Sequence, residues 1–582
     1  MSCQCLHIFI DQIPFTVAEQ IFVFSIKIPG KMAKHNNLIG VIKCDTLYVS
    51  FTVHQPPDFK EIARVQKNIN VLQPQAGWFE QDPMDIISAV YTCCNEVNTL
   101  LTKKGSSVDN IVAVGITNQR ETTILWDPRT GKPLYNAIMW KDIRTDQMVD
   151  RLVAEVDSQH INHFKLTSGL PISPYFSALK IRWLKNYVPK VRTACLEGHC
   201  KFGTIDSWIV WNLTNGELHV TDATNASRTF LMNIQTLQWD PLLLRTFHVD
   251  RKMLPDIRSS SEIFGRIKND RCNGLVGKPI TGIIGNHQAG LLGQYCVKPG
   301  QAKNSYRYGL FLLCNTGERC VITDRGLITT VAYKFGPRKK AIYALEGSVP
   351  VGGACLTWLE TRLRFIRNED EAHAIAEAVD TTGDVYFVPA FTGLYAPHWE
   401  QSARGLIIGL TQFSTKKHVI RAALEAICFQ TRDIIECMYE TCGSQINKVY
   451  VDGPFSENNM LMQLQADTSG LAVYRVDLDT ISLGAALCAA QADGIDLFTL
   501  DLNRSYEDDL KRDLFLPTNT ENDRMQRYGK WKRAVERSKG WVSKRPGSDL
   551  TDSTYRMLAC IPAAGFIFGT LCMVLLAGWG KK

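Results

Sequence analysis

Three clusters of residues in this chain could do chemistry. Arg120 and Glu121 are adjacent, a guanidinium fork of donors beside a carboxylate that accepts from hydroxyls. Such a pair suits a hydroxyl-rich ligand. On composition alone, a solvated surface ion pair is the plainer reading, as a core position is for Trp140. The second cluster is Gly285-Asn286-His287-Gln288-Ala289-Gly290, which follows the apolar run Ile280–Ile284 and leads into a helical stretch. In an α/β protein, a ligand sits at such a junction of strand end, glycine turn and helix start. Asn286 can hydrogen-bond a hydroxyl but has no basic titration near neutrality, whereas a histidine such as His287 ordinarily titrates at about 6.5. The third cluster repeats the plan. Lys448–Val451 is a short strand that ends in Asp452-Gly453-Pro454, before an apparent helix from Asn458. Pro454 fixes φ at about −65° and removes an N–H.

The elements that must hold these residues are legible after Gly77. Pro83–Leu101 has apolar residues Ile86, Ile87, Val90, Val97 and Leu100 at helical spacing. Ile111–Ile116 and Thr123–Trp126 read as strands, and Asp127–Gly131 as the turn of a hairpin. Before Gln66 the hydrophobic pattern switches often and the chain reads as irregular, with a turn at Gln55-Pro56-Pro57-Asp58. The class is α/β, with two domains and a cleft between them.

Composition sets the bounds. A chain of 582 residues exceeds one hydrophobic core. Its net charge of +7, from 65 basic and 58 acidic residues, is spread along the chain and points to no nucleic-acid partner. The 18 cysteines lack zinc-ligand spacing and read as free thiols. The first apolar stretches lack a basic leader and do not make a signal peptide. Met557–Gly580 carries no charge and is flanked by Arg556 and Lys581-Lys582. Roughly 20 apolar residues span a bilayer as a helix, so this stretch reads as a tail anchor, with a buried terminal helix as the alternative.

Longer motifs carry a resemblance. Gly405–Glu425 resembles the second FGGY signature along its length, and Tyr175–Leu184 resembles the first, departing at Tyr187. Gly77–Pro83, Asn118–Thr123, Gly203–Trp208, Asn225–Thr229 and Phe391–Pro397 are similar to stretches of glycerol kinases. From about Gln73 to Trp541 the chain thus resembles glycerol kinases of the FGGY carbohydrate-kinase family. The resemblance implies two ribonuclease-H-like domains of the actin/hexokinase type, with an interdomain cleft. It also implies ATP with Mg²⁺, and transfer of the γ-phosphoryl to a terminal hydroxyl of glycerol. The expected layout is a divergent segment 1–65, a polyol-side domain 66–297, a nucleotide-side domain 298–545, a linker 546–556 and a C-terminal hydrophobic helix 557–580.

By the resemblance, Arg120, Glu121, Trp140, Tyr175, His287 and Phe311 hold the polyol. Asp11, Tyr308, Gly309, Gly353, Thr357, Pro454 and Asn458 stand at nucleotide positions. The metal ligands are left open. Four departures bear on catalysis. Asn286 replaces the aspartate expected to take the glycerol proton; His287 is the one alternative base, but it stands in a glutamine's place, one residue away along the backbone. Arg307-Tyr308-Gly309 replaces Gly-Thr-Gly beside the phosphates. Pro454 replaces the second of two glycines. The opening Asp-Gln-Gly-Thr loop has only a weak echo at Asp11-Gln12, and residues before about Gln66 read alternatively as unrelated sequence. The resulting expectation is a glycerol kinase-like protein impaired in catalysis, binding glycerol and anchored by its tail. The mitochondrial outer membrane, facing the cytosol, is the expected location. The alternatives are an active ATP:glycerol phosphotransferase and a chain whose first domain is incomplete. Homo-oligomerisation is left open.

Overall fold

The computed structural model describes residues 37–542, apart from 308, 350 and 443–445. Asp11, Tyr308 and the hydrophobic stretch 557–580 therefore lie outside the described residues. Among the described residues no helix is long and apolar enough to cross a membrane.

The first domain starts with three antiparallel strands, β1 (Leu38–Cys44), β2 (Tyr48–Gln55) and β3 (Lys60–Asn68). Helix α1 (Pro83–Lys103) and strand β4 (Ile111–Asn118) follow, then helix α2 (Ser177–Tyr187), strands β5 (Ser261–Arg266) and β6 (Pro279–Gly285), and helix α3 (Asn286–Gly293). The sheet order is β5-β6-β4-β1-β2-β3, with β1, β4 and β6 parallel. The α1 periodicity is realised: Pro83 opens the helix, Asp82 accepts from the Met84 N–H at 2.8 Å, and Ile86, Ile87, Val90 and Val97 are buried. The hairpin at Asp127–Gly131 is also present, pairing Ile124–Asp127 with Lys132–Pro133.

The reading of the chain before Gln66 as irregular is corrected here. β1 is buried at every position, so Leu-Ile-Gly-Val-Ile-Lys-Cys shows no alternation, as a strand covered on both faces should not. In β2, Val49, Phe51 and Val53 alternate with buried Ser50, Thr52 and His54. Pro56-Pro57-Asp58-Phe59 turns β2 into β3, as expected. The first sheet is therefore not truncated.

The second domain repeats the plan. Strands β7 (Ala302–Tyr306), β8 (Leu310–Gly317), β9 (Ile328–Tyr333) and β10 (Ile342–Val349) precede helices α4 (Ala354–Thr361) and α5 (Lys416–Cys442). Then come β11 (Lys448–Asp452), α6 (Asn459–Ser469), β12 (Ala472–Val476), α7 (Thr480–Ala490), β13 (Arg512–Phe515) and α8 (Glu521–Ser538). The order β9-β10-β8-β7-β11-β12-β13 has the same core pattern: an antiparallel meander next to parallel strands joined by helices. This duplicated pattern is the ribonuclease-H-like architecture of actin/hexokinase-type folds.

Helix α7 joins the halves. It follows β12 in the chain, yet it packs on α3 and on the face of β6, β4 and β1. All eleven of its residues are buried. A Cβ on Gly484 would lie 1.8 Å from the Ala289 carbonyl oxygen, and one on Gly293 would lie 1.9 Å from that of Thr480. Those two glycines let the helix backbones touch.

Candidate functional site

Register brings the site together. Cys44, Asn118 and Gly285 are paired neighbours at the carboxyl ends of β1, β4 and β6. The residues that follow, Asp45, Arg120 and Asn286, therefore emerge at one sheet end. Across the cleft, Ser305 of β7 pairs with Asp452 of β11 and delivers Arg307 and Pro454 to the same space. Between them lies a cavity of about 390 Å³.

At one end are the residues expected to hold a polyol. Arg120, Glu121, Trp140, Tyr175, Asn286, His287 and Phe311 all line the cavity. Glu121 has left-handed backbone, φ 61°, uncommon for a residue with a side chain. The Thr122 N–H donates to the Arg120 carbonyl at 2.7 Å and closes this turn. The surface-pair reading of Arg120–Glu121 is excluded, because both are buried. Arg120 donates from Nη1 and Nη2 to the two carboxylate oxygens of Glu346 at 2.7 and 2.9 Å, and from Nη1 to Gln288 at 3.1 Å. Glu121 accepts from Arg228 Nε at 2.5 Å, and Arg228 also pairs with Glu346 at 3.3 Å. The two guanidinium groups overcome burial and hold the Glu346 carboxyl down at about 2. Glu346 and Arg228 were not singled out from sequence. Arg228 stood in a recognisable motif, but Glu346 sits mid-strand with no local signal.

Aromatic rings wall the same end. Trp140 meets Tyr175 edge-on at 5.9 Å and Phe311 at 5.8 Å between ring centres. Its indole N–H donates to Thr46 Oγ1 at 3.1 Å. His287 stacks on Phe311 at 4.0 Å. Burial, then Arg120, Lys303, Arg307 and Arg228, push the His287 imidazole well below its ordinary pKa. It is neutral at pH 7 and a poor proton acceptor, which argues against His287 as a substitute base. Its Nδ1 has no hydrogen-bond partner among the described residues. Asn286 accepts its neighbour's N–H at Oδ1, 2.8 Å away.

The other end differs from a phosphate cradle. The strand–turn–strand that faces it is the β1–β2 hairpin, Asp45-Thr46-Leu47-Tyr48, which contains no glycine. Arg307 reaches across the cleft to Asp45 at 3.2 Å. Buried Lys43 pairs with Asp479, the N-cap of α7, which raises the lysine pKa against the pull of burial. Lys303 donates to Ser305, and Ser305 and Thr480 donate to Asp452, each at 2.6 Å. Gly453 is at φ 98°, where a Cβ would lie 2.4 Å from the Tyr306 carbonyl oxygen, and Pro454 starts a short 3₁₀ turn.

Of the expected nucleotide residues, Gly309, Thr357 and Pro454 line the cavity. Gly353 and Asn458 are not among the residues that line the cavity. The Phe455 ring fills the space a Cβ on Gly353 would need, 2.2 Å from that point. Asn458 instead caps α6, accepting from the Leu461 N–H at 2.7 Å. Among the described residues no cluster of His, Cys, Asp or Glu is placed to hold a metal ion. These residues fit a metal-bound triphosphate poorly: Arg307 and Lys43 are already paired with carboxylates, the hairpin is glycine-free, and Phe455 covers Gly353.

Comparison with known proteins gives the class. The FGGY family of carbohydrate kinases, N-terminal domain, matches residues 39–293, and its C-terminal domain matches 309–492. This chain belongs to the FGGY family of carbohydrate kinases. Within that family it is 44% identical over 485 residues to a glycerol kinase of Brucella anthropi, covering 83% of this chain and 95% of that one. It is 43% identical over 522 residues to a glycerol kinase of Arabidopsis thaliana, covering 87% and 98%. The crystal structure of Plasmodium falciparum glycerol kinase with ADP superposes with a TM-score of 0.78 at 36% identity, covering 86% of this chain and 98% of that one.

Proposed function

We propose that this chain is a glycerol kinase homologue that binds a polyol in its cleft and is impaired in phosphoryl transfer. The observation that carries this is the phosphate half of the cleft, where Phe455 sits on Gly353 and Arg307 is tied to Asp45. The preserved constellation of Arg120, Glu121, Trp140, Tyr175 and Phe311 supports the polyol half. Assay of glycerol-dependent ADP release against an intact relative tests the reading.

A second reading, an active ATP:glycerol phosphotransferase using Mg²⁺, is favoured by the 43% and 44% identities to glycerol kinases and by the ADP bound to the Plasmodium enzyme. The same assay decides between them.

Polyol binding has its own readout. Glycerol should raise the thermal midpoint by mass action, worth about 2.7 kcal/mol at a hundredfold excess over Kd. Trp140→Ala, which removes one wall, should abolish most of the shift. A folded wild-type chain with no shift at saturating glycerol would sink the polyol reading.

We further propose attachment to a membrane by the uncharged stretch 557–580, at the mitochondrial outer membrane with the kinase body in the cytosol. The full-length chain should then sediment with membranes after salt and alkaline washing. Deletion of residues 557–582 should release it. Recovery of the intact chain in the soluble fraction would refute the anchor.

A further inference from the structure

The cavity is larger than a triol needs. Glycerol has the bulk of three to four waters, roughly 100 Å³ at ~30 Å³ each, whereas the cavity holds about 390 Å³. The remaining space runs along Leu47, Tyr48, Pro454 and Phe455. Leu47 is 60% exposed, so this part leads to the mouth of the cleft. It is the region through which a phosphate donor would have to reach the polyol, and Leu47, Tyr48, Pro454 and Phe455 give it an apolar and aromatic wall beside the polar Asp45, Thr46, Arg307 and Thr357. Of the cations at this cavity, Arg307 is bridged to Asp45 and Lys141 lies over the Phe79 ring at 4.3 Å, while Lys43 in β1 is paired with Asp479. At the inner end, the unpartnered Nδ1 of His287 offers a hydrogen bond to a hydroxyl.

We propose that the cleft binds a neutral, singly O-substituted glycerol. The free diol lies among Trp140, Tyr175 and His287, and an aryl or short alkyl substituent lies along Leu47, Tyr48 and Phe455. The proposal rests on the polyol reading above and specifies its ligand. A ring placed on Tyr48 and Phe455 leaves water and meets aromatic faces. An anionic substituent in the same place would face Asp45 and find Arg307 already bridged to it. The substituent would also lie where a phosphoryl group would otherwise approach, so such a ligand is bound without being a phosphoryl acceptor at that oxygen.

The test is calorimetric titration of the full-length chain with glycerol, 3-phenoxypropane-1,2-diol and glycerol 3-phosphate. The phenoxy diol should bind at least about tenfold more tightly than glycerol, a modest gain for a ring leaving water. Leu47→Asp, at an exposed site that does not endanger folding, should bring that ratio toward one, and so should Phe455→Ala. Equal affinity for glycerol and the phenoxy diol would overturn the proposal and leave the polyol reading standing. Tightest binding of glycerol 3-phosphate would also overturn it, because the cleft would then present usable positive charge. A ratio unchanged in both variants would place the ring elsewhere and refute the site. If neither diol binds, the polyol reading falls and this proposal falls with it.

Discussion

Glycerol-dependent ADP release by the unmodified chain is expected at least about a thousandfold below that of an intact relative, since positioned acid–base catalysis alone supplies 10²–10⁴-fold and phosphate positioning adds to it. Asn286 stands where the resemblance calls for a carboxylate, and His287 beside it is neutral and a weak base. Asn286→Asp alone should rescue little, because the phosphoryl group would still meet Phe455 and the Arg307–Asp45 bridge. Asn286→Asp combined with Arg307→Gly, Tyr308→Thr and Pro454→Gly should exceed the product of the single effects, because these groups act as a unit. It should still fall short of an intact relative, since the Asp45–Tyr48 hairpin keeps no glycine. A robust rate in the unmodified chain would refute the impairment. Full rescue by Asn286→Asp alone would show that the phosphate half is serviceable.

Replacing Arg120 should cost the most stability of any single change at the site. Arg120→Ala leaves Glu346 fully buried, with Ser348 at 2.7 Å and the Arg228 contact at 3.3 Å as its remaining support. Removing one partner of such a pair costs about 3–5 kcal/mol. The pH dependence identifies the cause. Glu346 is held at about 2 against an ordinary 4.5, so its contribution to stability is complete above 4.5 and drains away as pH falls toward 2. The gap between the thermal midpoints of wild type and Arg120→Ala should therefore be widest near neutrality and narrow through that acid window. A gap that stays constant with pH would mean that lost packing, not the stranded carboxylate, sets the cost.

What sequence reasoning recovered, and what it missed, follows from the range of the signals. Helix α1, strand β4, strand β6 and the turn into α3 each carry a local signature: a period, an alternation or a glycine before a helix. Arg120, Glu121 and Tyr175 were legible because each stands in a contiguous motif that survives intact, whereas His287 stands in one that is altered. β1 was not legible, because burial on both faces erases the alternation that marks a half-covered strand. The loss spread to the site, since the hairpin after β1 supplies Asp45, Thr46, Leu47 and Tyr48 to the cavity. The weak echo of a glycine-hydroxyl loop at Asp11 lies outside the described residues, and the hairpin that faces the cleft has the sequence Asp-Thr-Leu-Tyr, which carries no glycine signal. Glu346 and Phe455 were invisible for another reason. Their roles come from partners more than a hundred residues away, Arg120 for the one and Gly353 for the other, and no local pattern encodes that pairing.

The placement of α7 has a consequence in time. Its eleven residues cover one face of the first domain's sheet, yet they are made about 200 residues after β6 closes that sheet. At ~5–20 residues per second, a growing chain waits roughly 10–40 s between finishing β6 and receiving α7. Through that interval Gly115 and Gly282, which the finished protein seats against Ala485 and Ala489, face no helix, and the apolar strands around them stay uncovered. Until Ala490 emerges, that apolar face is the part of the nascent chain most open to non-native association.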